Sequence, residues 1–214
     1  ADESTLVGMD SDKAMEILRG PDGSTVILKV KRDGQILSFH IAREKVGVPT
    51  VHSEVLDKGL VYLGIDDFGQ RTSAELGKVV KNLQKARADN WILDLRGNPG
   101  GYLESVIDVA GIFMGEMPVV LVEERESVDG YVASPADALI DGPLVLIQDD
   151  YSASAAEIMA AALRDNQRAI LIGKTTYGKG TVQQIFPLSN GDKLKITVAR
   201  FYSPTGEEIN GLGI

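Results

Sequence analysis

The chain contains no cysteine. That absence excludes thiol nucleophiles, disulfides and cysteine-ligated metals, and leaves the compartment open. Histidine is scarce as well: only His40 and His52 occur. A Ser–His–Asp triad would have to use one of them. Both fall in or beside strand-like segments of the N-terminal region, away from any glycine-rich turn, so they read as structural or surface residues. Two histidines also argue against a His-based zinc site. Positive charge is in deficit, with 22 Lys and Arg against 31 Asp and Glu and a net charge of −9. Non-specific binding to nucleic acid is therefore disfavoured. No apolar run is long enough to span a bilayer, and no signal-peptide pattern starts at Ala1.

What is present suits a soluble globular chain. The 214 residues are 43% hydrophobic and 25% charged, enough for one sizeable core and a small appendage. Ser11 reads as the cap of a short helix over SDKAMEILR, stopped by Gly20-Pro21. Two alternating segments follow, STVILKVK and QILSFHIA. Val26, Leu28 and Val30 form one face, Leu37, Phe39 and Ile41 the matching face, with Asp33-Gly34 as the hairpin turn between them. Pro49 marks a boundary near Lys45.

Beyond it, GLVYLGIDDF reads as a strand. Thr72-Ser73-Ala74-Glu75 reads as a capping box, followed by an amphipathic stripe of Leu76, Val79, Val80 and Leu83. Trp91 to Leu95 is a buried strand, RGNPGG the turn leaving it, and Tyr102 to Met114 a helix. Pro118 to Arg125 reads as a strand and Glu126 to Asp141 as a surface loop or lid. Strands are expected over Pro143–Gln148, Ala169–Gly173, Thr181–Leu188 and Lys193–Tyr202, the last two joined at Asn190-Gly191. Alternation of strands and helices from 59 to 173 predicts an α/β core with parallel pairs.

The stretch from Asp149 to Gln183 carries the chemistry. Ser154 stands where a helix begins, and Lys179 stands in a Gly-flanked loop after a return strand, an order that can bring both to one end of a sheet. A helix N-terminus suits an anion forming beside the serine. A serine hydroxyl needs a base. A lysine serves as one only when neutral, and its ordinary value of about 10.4 requires burial to lower it by roughly three units. Gly178 and Gly180 would let the backbone bend and pack the lysine inward. By residue type alone, Ser154 is equally an N-cap, Lys179 a solvated loop lysine, and Glu157 a side chain that bonds back to the helix start or only favours its dipole. Glycine N–H groups of the NPGG turn can either shape a turn or stabilise an oxyanion.

The segments SASAAEI, GKGTVQ and DLRGNPGG, taken together and in order, resemble the motifs of the C-terminal processing peptidases, or tail-specific proteases. The resemblance covers nearly the whole chain and implies a Ser–Lys dyad. Ser154 would be the nucleophile, Lys179 the general base and Gln183 the residue that orients it. The oxyanion hole would pair the Ala155 N–H with a glycine N–H of the turn, Gly100 in preference to Gly101. Many relatives carry serine where Ala156 stands. No metal or cofactor is implied. The expected substrates are proteins or peptides with accessible apolar C-termini, and the expected location is exported: periplasm, cell envelope or thylakoid lumen. The resemblance also implies a Clp protease/crotonase-like core over residues 46–214 and, over residues 1–45, the closing part of a PDZ-like domain whose carboxylate-binding half is missing. Both ends look clipped, as in a fragment or a degraded copy.

Two other functions compete. Gly173 to Lys179, GKTTYGK, has the spacing of a P-loop. The next residue is Gly180 where Ser or Thr should hold magnesium, and a strand rather than a helix follows. A non-catalytic scaffold of the same fold is the other reading, and it would need neither Ser154 nor Lys179.

Overall fold

The computed structural model describes residues 5–44, 47–57, 59–84, 89–133, 138–189 and 192–214. The chain divides into two compact units, residues 1–48 and 49–214. The first contains α1 (Ser11–Leu18), β1 (Thr25–Arg32) and β2 (Gln35–Ala42). Asp33 and Gly34 both take positive φ, 51° and 79°, which is the turn that matches strand twist. The resulting register places Val26 opposite Ile41, Leu28 opposite Phe39 and Val30 opposite Leu37, the pairing expected from the alternation. Arg43 closes the unit: its Nε donates to the Leu18 carbonyl at 2.8 Å and its guanidinium to Ser24 Oγ at 3.0 Å. Position 45 lies outside the described residues, as does the Asn190-Gly191 turn.

The second unit runs β3 (Val51–Asp57), β4 (Leu60–Ile65), α2 (Thr72–Gln84), β5 (Asn90–Asp94), α3 (Leu103–Met114), β6 (Pro118–Glu123) and β7 (Val128–Val132). It continues with β8 (Leu144–Gln148), α4 (Ala155–Asp165), β9 (Ile170–Gly173), β10 (Thr181–Pro187) and β11 (Lys193–Tyr202). One sheet has the order β3-β4-β5-β8-β9. Its last four strands are parallel and β3 is an antiparallel edge. Leu63, Leu93 and Leu146 stand side by side across it and are fully buried. The other sheet, β10-β11-β6-β7, is antiparallel. The mixed α/β architecture with parallel pairs is thus present.

Helix α4 packs against α3, β6 and β9. Every residue from Ala155 to Leu163 is buried, so it is enclosed on all sides, which its many alanines permit. Helix α2 turns Leu76 and Val80 into the core with Val79 and Leu83 flanking, the stripe read from the sequence.

Two expectations change, and one further strand appears. Residues 126–141 are not all loop, because Val128–Val132 pairs with β6 as an edge strand. Strand β3 has no sequence signal: six of its seven residues are exposed, and backbone pairing rather than side-chain burial holds it. The capping box is not made. Thr72 is the first helical residue, its hydroxyl lies 2.7 Å from Thr50 Oγ1, and Glu75 accepts from the Thr50 N–H at 2.9 Å. A partner distant in sequence outcompetes the local cap.

Candidate active site

The loops leaving β5, β8 and β9 emerge side by side at the C-terminal edge of the parallel strands, where such sheets place their sites. Asp94 anchors the first. It accepts from the Arg96 N–H at 2.9 Å, from the Arg96 guanidinium at 2.6 Å and from the Tyr62 hydroxyl at 2.9 Å. Burial works against its charge, but these donors outweigh burial and hold the carboxyl below its usual range. Burial and the Asp94 bond raise the Tyr62 phenol.

Asn98, fully buried, then fixes the turn. Its Nδ2 donates to the Ile65 carbonyl at 2.8 Å, its Oδ1 accepts the Gly100 N–H at 2.8 Å, and its carbonyl accepts the Ala153 N–H at 2.9 Å. Gly100 has φ of 103° and lies so close to the second loop that a Cβ there would sit 2.7 Å from the Ser154 Cβ. At Gly101 a Cβ would sit 2.3 Å from the Phe68 carbonyl oxygen. Only glycine allows these approaches.

The second loop is held by Asp149, whose Oδ1 accepts from the N–H groups of Gly97, Tyr151 and Ser152 at 2.9–3.1 Å. Burial opposes its charge, and the donors win, so its carboxyl is held low. Ser152 Oγ reaches the Leu95 carbonyl at 2.8 Å. The loop delivers Ser154 with φ 57° and ψ −116°, a backbone conformation rare for a residue with a side chain and a place where strain marks function.

The third loop closes on Glu157. This carboxylate is fully buried. Its Oε2 accepts the N–H of Ser154 and of Lys179, each at 2.8 Å. Its Oε1 accepts the Gly178 N–H at 2.6 Å and the Thr176 hydroxyl at 2.7 Å. Four donors offset the cost of burying the charge. The sequence places Glu157 one turn into the helix. It gives no sign of the three donors from the base loop.

Ser154, Ala155, Lys179, Gln183 and Gly101 line one cavity of about 260 Å³, with an apolar wall of Leu103, Val122, Ile158, Val182 and Phe201. Gly100 is buried and does not line it. Among the described residues, neither the Ala155 nor the Gly101 N–H makes a backbone hydrogen bond, whereas that of Gly100 is taken by Asn98. Lys179 departs from the inward packing expected of it. Gly178 and Gly180 are buried and the lysine between them is exposed, because an extended loop alternates its residues in and out. Among the described residues its ammonium makes no hydrogen bond to Ser154 or Gln183. His52 bonds Asp66 at 2.6 Å and does not line the cavity; His40 belongs to β2 of the first unit.

The P-loop reading meets a direct obstacle. The Gly178 and Lys179 amides that would cradle phosphate already hold the Glu157 carboxylate, and β10, not a helix, follows.

The family model of Peptidase family S41 matches residues 59–214. The carboxy-terminal processing protease CtpA of Bacillus subtilis is 36% identical over 212 residues, covering 98% of this chain and 46% of that protein. The carboxyl-terminal-processing protease of Picosynechococcus sp. is 34% identical over 208 residues, covering 95% of this chain and 50% of its own. Among solved structures, a photosystem II D1 C-terminal processing protease superposes with a TM-score of 0.71 at 28% identity, over 97% of this chain and 58% of that one. The chain thus spans about half the length of the curated relatives it matches.

Proposed function

The chain belongs to peptidase family S41, and from that premise we propose that it is the catalytic part of a serine endopeptidase that cleaves proteins near their C-termini through a Ser–Lys dyad. The observation that carries this reading is the shared cavity: Ser154, Lys179 and Gln183 beside two unengaged N–H groups and an apolar wall.

Ser154 Oγ attacks the scissile carbonyl carbon while the neutral Lys179 amine takes the hydroxyl proton. The oxyanion is held by the Ala155 N–H at the start of α4 and by the Gly101 N–H. Gly101 replaces Gly100 in this role because the Gly100 amide is occupied and buried. The intermediate collapses, the Lys179 ammonium protonates the leaving amine nitrogen, and an acyl ester of Ser154 remains. Water, deprotonated by Lys179, hydrolyses it and returns Ser154. Gln183 orients the lysine. Lys179 is exposed, and bound substrate would supply the dry surroundings that a neutral amine requires.

The apolar wall suits a substrate with an apolar residue next to the scissile bond, which accords with substrates having accessible apolar C-termini. The same reading takes residues 46–214 as a Clp protease/crotonase-like core and residues 1–45 as the closing part of a PDZ-like domain, on the order helix, strand, tight turn, strand. It places the protein outside the cytoplasm. An Arabidopsis thaliana relative, 34% identical over 229 residues, is named as chloroplastic, and cell fractionation tests the placement here.

Cleavage of an unstructured protein with an apolar C-terminus, by the chain and by Ser154→Ala and Lys179→Ala, tests the mechanism. Loss in both variants with unchanged circular dichroism is the expected result. Undiminished cleavage by either variant rejects the dyad, and no cleavage by the unmodified chain favours a non-catalytic scaffold.

A further inference from the structure

Residues 203–214 follow β11 as a strap that is tied to α4 at one end and to the Lys179 loop at the other. At the α4 end, Ser203 Oγ and Thr205 Oγ1 donate to Asp165 Oδ2 at 2.6 and 2.7 Å, and Arg164 pairs with Glu207. At the loop end, Ile209 is fully buried and the Gly211 N–H donates to the Gly178 carbonyl at 2.8 Å. The Gly180 N–H donates to Asn210 Oδ1 at 3.3 Å. The Ile214 carbonyl accepts Gln148 Nε2 at 2.7 Å and the Thr176 N–H at 3.3 Å. Contact is close enough that a Cβ on Gly180 would sit 2.5 Å from the Asn210 nitrogen, and one on Gly213 would sit 2.5 Å from the Thr176 carbonyl oxygen.

Thr176 is the joint between strap and site. Its hydroxyl accepts the Ile214 N–H at 2.8 Å and donates its proton to Glu157 Oε1 at 2.7 Å. We propose that Thr176 and the strap over residues 208–214 are positioning elements for Lys179. They set where the base stands by holding the loop's backbone against the carboxylate that also holds Ser154.

The Lys179 side chain is exposed, so its own packing does not place it. The loop between β9 and β10 belongs to no strand. Its backbone is held by Glu157 at Gly178 and Lys179, by the Ser152 carbonyl at Tyr177, by the Phe201 N–H at Gly180 and by the strap, and Thr176 joins the strap to Glu157. The hydroxyl, not merely the volume, is required. A valine at this buried position would leave the Ile214 N–H without a partner and Glu157 Oε1 with the Gly178 N–H alone. A shift of about 1 Å at a catalytic group can cost about a hundredfold in rate. The inference rests on the reading of Lys179 as the base, and its test has one arm that does not need activity.

In the 214-residue chain, Thr176→Val is compared with Thr176→Ser by steady-state cleavage and by amide hydrogen exchange. The valine variant is expected to lower kcat by about 10- to 100-fold with KM within about threefold. It is also expected to speed exchange at Gly178, Lys179 and Gly211 by about tenfold or more while α4 keeps its protection. The serine variant, which retains the hydroxyl, should stay within about threefold of the parent in both readouts. Unaltered exchange in the valine variant overturns the strap's role, even if the parent chain proves not to cleave. A serine variant as impaired as the valine one overturns the role of the hydroxyl. Absence of cleavage by the parent, with the exchange pattern as expected, leaves the strap holding the loop and rejects the peptidase reading instead.

Discussion

Ser154 and Lys179 donate their backbone N–H groups to the same atom, Glu157 Oε2, each at 2.8 Å. The start of α4 and the Lys179 loop are thereby referred to one buried point. That point lies three residues along the helix from Ser154, so Ser154 and Lys179 are positioned by main chain rather than by contact between their side chains.

Glu157→Ala is expected to damage both stability and rate. It leaves buried donors unsatisfied, at a cost on the order of 3 kcal/mol or more, and it unties Lys179 from Ser154, lowering kcat by about a hundredfold. Glu157→Gln preserves volume but turns an NH2 group toward N–H donors, so it rescues little. Urea unfolding together with cleavage kinetics checks this. A glutamine variant with parental kcat would contradict it.

Gly100→Ala should disable the site directly. The new methyl would meet Ser154 Cβ at 2.7 Å and the Ala155 nitrogen at 2.9 Å, at a φ of 103° that L side chains rarely adopt. Loss of activity by about a hundredfold or more, with destabilisation of about 1–3 kcal/mol, is the expected outcome in the same two assays. Near-parental activity would show that the turn can retreat from the serine.

The cavity wall predicts a selectivity change. Leu103 is only half-buried, so Leu103→Ala enlarges the pocket without emptying the core. Relative kcat/KM for substrates with a bulkier apolar residue before the scissile bond should rise by about tenfold or more over those with a smaller one. A peptide series differing at that residue alone measures it. An unchanged ranking would remove Leu103 from the specificity pocket.

Stability should fall in acid. The carboxyls of Asp94, Asp149 and Asp165 are all held below their usual value near 3.8. In each case the donors outweigh burial, which alone would raise it. A depressed carboxyl stabilises the fold fully above its unfolded value and loses that contribution as pH falls through its folded value. The urea midpoint should therefore stay level from neutrality to about pH 5 and drop below about pH 4. Asp165→Asn, which keeps the shape, should flatten the drop. A midpoint that rises on acidification would refute the assignment.

Legibility in the sequence followed the range of the interactions. The β1–β2 register came from Asp33-Gly34 and a period of two, and the α2 face from a period near 3.6; both are local. Strands β3 and β7 escaped because edge strands pair through backbone and need no apolar period. The Thr72–Glu75 box misled because Thr50, 25 residues away in sequence, offers Glu75 a better partner than the helix start does. At the site, motif order brought out Ser154, Lys179, Gln183 and the glycine turn. It favoured Gly100 over Gly101, and gave no sign that the Asn98 side chain takes the Gly100 amide. Nor could it place Glu157 at the centre, since its other donors stand about 20 residues further on and meet it only after β9 returns.

Helix α4 is buried through nine consecutive residues while the lysine side chain is exposed on a loop that belongs to no strand. These two halves of the site should not answer equally to heat. As temperature rises, the loop and its strap can loosen while the helix interior keeps its shape, so Ser154 is still in place when Lys179 has drifted away. Warming would then silence the chemistry several degrees before it melts the fold, and cooling from that intermediate range would restore activity without any refolding of the core.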